Sequence, residues 1–143
     1  MRAIKLVVLA AIVLWPGIVS QLRAELPPLS VEDLKRESDF VVRGKVARVY
    51  SVLHEQRPGF TDRMFAIELT VSAVDQGQGV QPGQVIFFRT WKSESRPRGW
   101  AGPGGQTQVP KAGDEITAYL SEEDGALDAL LPNGIAIQRP AGK

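Results

Sequence analysis

Few residues in this chain could do bond-making chemistry. There is a single histidine, His54, followed by Glu55, and there is no cysteine. A histidine beside a carboxylate can serve as a general base, but a Ser-His-acid triad needs it held between a nucleophile and an acid. No Gly-x-Ser-x-Gly turn is present, and His54 sits in a polar stretch read as a connection between two strands. A solvated loop histidine is the simpler reading there. Glu122, Glu123 and Asp124 are adjacent, and adjacent acids in a turn face solvent instead of flanking a substrate. A hydrolase built on His54 or on this acidic turn is therefore the least favoured reading. One histidine without cysteine excludes the ordinary zinc sites. The run from Glu122 to Asp128 lacks EF-hand spacing. Gly102-Pro103-Gly104-Gly105 has neither the lysine nor the helix of a phosphate loop. The sequence predicts no catalytic residue, no metal and no cofactor.

Recognition chemistry is better represented. Arg96, Arg98 and Trp100 lie within five residues, with Trp91 just before them. Tryptophan and arginine dominate binding hot spots, tryptophan faces stack on flat rings, and arginine forks onto carboxylate or sulfate. The competing reading is structural, with Trp100 folded back to plug one end of a barrel. Arg57, Phe60 and Arg63 form a second candidate patch around Pro58-Gly59. Its own alternative is a solvated loop with Phe60 tucked beneath it.

The elements that would position these groups are mostly strands. Ser30 precedes Val31-Glu32-Asp33-Leu34-Lys35-Arg36-Glu37, an N-cap before a short helix with acids first and bases last. Val31 and Leu34 are expected to pack inward. A long β-branched strand follows from Phe40 to Val52. Its apolar positions lose one step after Val46, which predicts a β-bulge near Ala47-Arg48, and Gly44 predicts a bend or a close approach. Met64–Val74 alternates cleanly. Val85–Trp91 is apolar on both faces and is expected to sit centrally or under a covering element. Residues 92–114 hold eight glycines and prolines, a composition that reads as a long loop without helix or strand. Strands are expected again over Glu115–Leu120, Ala126–Leu131 and Ile135–Ile137.

The first 24 residues have another logic. Arg2 and Lys5 precede ten apolar residues, Leu6 to Trp15, then Pro16-Gly17 and a small residue at Ala24. This is the layout of a secretory signal peptide cut after Ala24, with Ser20 as the second choice. The apolar run is too short for a membrane-spanning helix, which needs about 20 residues. Removing Arg2, Lys5 and Arg23 leaves 14 basic against 16 acidic residues, a net charge of −2. That balance lacks the basic excess of a general nucleic-acid binder. The expected product is exported to a periplasm, cell envelope or extracellular space and has no membrane span. It comprises a lead-in and helix over 25–38, one domain over 39–138 and a tail over 139–143.

Five or six antiparallel strands, the first bent enough to serve two halves of a sheet, predict an all-β, OB-like barrel, with a β-sandwich as the alternative. Ser38–Val46, Ile67–Val74 and Pro110–Glu115 together resemble the OB-like barrels of exported proteins, the netrin or tissue-inhibitor type in a broad sense. The resemblance spans about residues 38–138. The usual cysteines of that family are absent, so it implies the fold and no inhibitor activity. A Gly/Pro loop stands where OB folds place a helix between strands three and four. The expected function is a non-enzymatic binding domain of the cell envelope, recognising a protein or an anionic polysaccharide through the 92–110 loop. A structural or assembly subunit whose barrel edge pairs with another chain is the alternative.

Overall fold

A computed structural model describes residues 25–139. The expected signal peptide and most of the tail lie outside the described residues. Among those described, no helix is long and apolar enough to cross a membrane.

One helix leads in. In α1 (Val31–Glu37) the Ser30 hydroxyl accepts from the Asp33 N–H at 3.1 Å, and the Ser38 N–H closes the other end on the Leu34 carbonyl. The Ser30 hydrogen bond, with help from Arg36, holds the Asp33 carboxyl below its ordinary range. Leu34 packs on Val41 and Tyr119 as expected, whereas Val31 faces solvent. Two turns of helix resting on one corner of a sheet can bury only one such side chain.

Six strands follow: β1 (Phe40–Arg57), β2 (Phe60–Gln76), β3 (Val85–Ser95), β4 (Glu115–Glu123), β5 (Ala126–Ala129) and β6 (Ile135–Ile137). The sheet order is β1-β2-β3-β5-β4, and β1 pairs back onto β4 to close a five-stranded barrel, with β6 added to β4. The fold is all-β and OB-like, and the sandwich alternative is not adopted. One pairing departs from the expected antiparallel pattern: β3 and β5 are parallel, joined at Arg89 and Asp128.

Closure depends on β1, which pairs with β2 along its length and with β4 only from Phe40 to Lys45. Gly44 is buried where β1 serves both neighbours, and a Cβ there would lie 2.3 Å from the Thr70 carbonyl oxygen. Gly44→Ala is expected to lower stability by about 1–3 kcal/mol, by the cost of overpacking, measured in urea. The predicted bulge is present as a register shift between Val46 and Arg48. The core holds Val42, Val46, Ile67, Leu69, Phe88 and Ile116, all essentially inaccessible.

Three expectations about strands are corrected. First, β1 and β2 run on to Arg57 and Phe60, so residues 53–63 are a paired hairpin end and not a loop. Second, β3 does sit centrally, between β2 and β5, but only its Ile86, Phe88 and Thr90 point inward; Phe87 is 56% exposed, because among the described residues no layer covers that face of the sheet. Third, the 92–114 segment is not without strand. Lys92–Ser95 has no glycine or proline and continues β3, and Gly105 bridges back to Lys92.

A hairpin tip and a docked loop as the candidate functional site

The 92–114 segment is held in place by its own backbone. The Gln106 N–H donates to the Trp91 carbonyl at 2.7 Å, and the Ser93 N–H donates to the Gly104 carbonyl at 2.8 Å. The approach requires glycine at position 105, whose φ is +80° and whose added Cβ would lie 2.4 Å from the Trp91 carbonyl oxygen. Gln106 is buried beneath. With its amide turned to match its neighbours, Nε2 donates to the Leu130 carbonyl, and Oε1 accepts from the Gly134 and Ile135 N–H groups. Gly113 and Asp114 bond to Val46 and finish the segment on β1.

The two patches read separately in the sequence meet in space. The turn Pro58-Gly59 ends the β1–β2 hairpin, and Phe60 stands at its tip. The Arg57 guanidinium lies 3.8 Å from the centre of the Phe60 ring, and Arg96 lies 5.7 Å from it. Trp100 meets the same ring edge-to-face at 5.0 Å. Trp100 does not enter the barrel; it rests on Gly102 and on the hairpin tip, and 46% of it is exposed. Phe60 is thus the hub of one aromatic and cationic cluster built from two segments.

The arginines divide into two kinds. Arg96 is not displayed as the sequence suggested, for its side chain is 15% exposed and pairs with Asp62, itself 2% exposed. It also donates to the carbonyls of Thr61 and Ser95 at 2.9 and 2.8 Å, while Gln56 donates to the other Asp62 oxygen. Arg96 therefore clamps the loop to the hairpin. Arg63 is spent on Glu94, with two contacts of 3.1 Å that hold the Glu94 carboxyl below its ordinary range. Arg57 and Arg98 are exposed and make no ion pair among the described residues. Trp91 does not underlie Trp100. It is cross-strand from Met64 and packs against Gly105, where it holds the returning segment.

His54 lies in β1, opposite Asp62, and not in a connection. Its carboxylate neighbour is committed to Arg96 and Gln56. Glu122 and Glu123 belong to β4, and the turn itself is Asp124-Gly125. Among the described residues no three His, Asp or Glu side chains are grouped to hold a metal ion.

A surface that sequence reasoning missed runs from the tip along the outside of β1, β2 and β3. Tyr50, Val52, Met64, Phe65, Ala66 and Arg89 line a shallow apolar groove of about 300 Å³. Arg89 is fixed there by two bonds to Asp128 of 2.8 and 2.7 Å. The register places Tyr50 beside Ala66 and Arg89, and Val52 beside Met64 and Trp91. The signal was present as the apolar positions Tyr50 and Val52 beyond the bulge, but only cross-strand register sets them beside Met64, Ala66 and Arg89. Comparison with family models, with curated proteins and with solved structures finds no match for this chain.

Proposed function

We propose that this protein is an exported, non-enzymatic binding domain of the cell envelope. Its ligand is an acidic protein segment or an anionic polysaccharide, held at the hairpin tip by Arg57, Arg98 and Trp100. The observation that carries this reading is the convergence of two distant segments on Phe60, with a half-exposed indole and the exposed Arg57 over the ring, and with Arg57 and Arg98 making no ion pair among the described residues. Arginine forks onto carboxylates or sulfates, and an indole stacks on a sugar face or an extended peptide. The apolar groove below the tip extends the contact. Export rests on the layout of residues 1–24. A mature chain beginning at Glu25, read by mass spectrometry of the protein from its own source, is the expected result. The kinship with netrin-type and tissue-inhibitor-type barrels is proposed at the level of strand pattern and carries no inhibitor activity.

The binding test titrates a uronate-bearing or sulfated polysaccharide, and in parallel an acidic peptide, into the protein at low and high salt. An Arg57→Ala/Arg98→Ala/Trp100→Ala variant is expected to bind about 10- to 100-fold more weakly, in line with the loss of hot-spot residues. Wild-type affinity should fall as salt screens the exposed cations. Arg96 stays unchanged in this variant because its loss would unseat the loop. Equal binding by a folded variant and the wild type would remove the tip from the proposal.

A further inference from the structure

The barrel protects one of its long edges and leaves another open. Beyond β5, the edge of β3 is covered by the chain itself, through Gly104, Gly105 and Gln106. The corresponding edge of β1 is occupied by β4 up to Lys45 and by Gly113 and Asp114 at Val46. From Ala47 to Arg57 nothing pairs with it among the described residues. An open row of N–H and C=O groups is a template for another strand, and exposed edges are normally blunted with lysine, proline or bulges. Here the ladder to β2 is regular from Arg48 to Glu55, between register shifts at each end. That stretch, Arg-Val-Tyr-Ser-Val-Leu-His-Glu, holds no lysine, proline or glycine. Its apolar side chains are open on both faces, with Val52 63% and Leu53 52% exposed.

We propose that this edge pairs with the same edge of a second copy of the chain, antiparallel about a two-fold axis at Ser51. Charge selects the direction. Arg48 stands at one end of the stretch and Glu55 at the other, and neither makes an ion pair within the chain among the described residues. Antiparallel pairing sets Arg48 opposite His54 and one residue from Glu55 of the second copy, whereas in-register parallel pairing would stack Arg48 on Arg48 and Glu55 on Glu55. Side-chain chemistry selects the register. Residues directly opposite share a face, so a two-fold axis at Ser51 sets Tyr50 against Val52 on the groove face and Val49 against Leu53 on the other. Apolar then opposes apolar on either side of the central Ser51 pair, and Leu53 gains cover beside the partly buried Val49. The partner continues the edge where β4 leaves it. The interface is isologous, as a two-fold dimer requires. It also joins the two apolar grooves into one face with two binding tips. Strand pairing over this length buries less than a standard interface of about 1,200–2,000 Å², so the dimer should be weak, with a dissociation constant on the order of micromolar.

The pairing does not rest on the binding reading: Arg57→Ala/Trp100→Ala should dimerise like the wild type, whatever becomes of ligand binding. The test uses residues 25–143, since every strand of the described residues and both core clusters, with Leu29 packed on the second, lie within 29–137. Sedimentation velocity across a concentration series should show a monomer–dimer equilibrium. Leu53→Lys, on the face away from the groove, should weaken it at least about tenfold while circular dichroism stays unchanged. Because the chain has no cysteine, Ser51→Cys should cross-link to a covalent dimer under mild oxidation, while Gln78→Cys, in a distant exposed turn, should not. A wild type that stays monomeric to millimolar concentration overturns the proposal. So does a Ser51→Cys variant that cross-links no faster than Gln78→Cys, or a folded Leu53→Lys variant that dimerises as the wild type does.

Discussion

Arg96→Ala is expected to lower stability by about 3–5 kcal/mol, the usual cost of breaking a buried ion pair from one side. The cause is what remains. Asp62, 2% exposed, would be left inside the hairpin with Gln56 as its remaining side-chain partner among the described residues, and the carbonyls of Thr61 and Ser95 would lose a donor. Urea unfolding measures the loss, and a red shift of tryptophan emission from residues 25–143 carrying Trp91→Phe reports Trp100 leaving the Phe60 ring. Arg96→Lys should recover only part of it. A single ammonium cannot reproduce a planar guanidinium that spans a carboxylate and two carbonyls. If Arg96→Ala unfolds at the wild-type midpoint with Trp100 emission unchanged, the clamp is not what holds the loop. The result would bear on function too, because the tip exists as a surface only while the loop is docked.

The second large effect belongs to the barrel wall. Phe88→Ala should cost about 3–5 kcal/mol, through lost burial and the cavity left among its neighbours. Phe88 is fully buried and pairs across the sheet with Ile67, itself fully buried. Phe87→Ala, one residue away and more than half exposed, should change stability by no more than about 0.5 kcal/mol. The contrast tests the register of β3 directly, since successive side chains point to opposite faces and a one-residue slip would exchange the two results. Equal costs at the two positions would mean that both faces of β3 are covered.

That pair of phenylalanines shows where the sequence was legible and where it was not. Alternation in Ile67, Leu69 and Val71 announces a half-buried strand because each inward position is apolar and each outward one mostly is not. Val85–Trp91 carries no such contrast, so its covered face had to be decided by its neighbours. The bulge after Val46 and the close approach at Gly44 were legible because each breaks a local rule in one definite way. The hairpin end was not: Leu53 to Arg63 is polar enough to read as a loop. It is strand because Gln56, Asp62 and Arg96 satisfy one another inside it. The glycine-rich segment misled for a similar reason. Its composition excludes regular structure over most of its length, yet says nothing about docking, which depends on Gly105 meeting Trp91 and on Gln106 finding three backbone partners.

By itself the sequence determined the helix and its cap, a set of five or six strands, the inward face of β2 and β4, the bend in β1 and an OB-like barrel as the reading favoured over a sandwich. Each of these follows from interactions between residues close in the chain, or from the periodicity that burial imposes. Only the tertiary structure decided that Arg57, Phe60, Arg96 and Trp100 form one cluster. It also decided that Arg96 and Arg63 are bound internally while Arg57 and Arg98 are not. The physical reason is that an arginine's availability depends on which carboxylate the fold brings within reach. For Arg96 that carboxylate lies 34 residues away in the chain, and for Arg63 it lies 31 residues away.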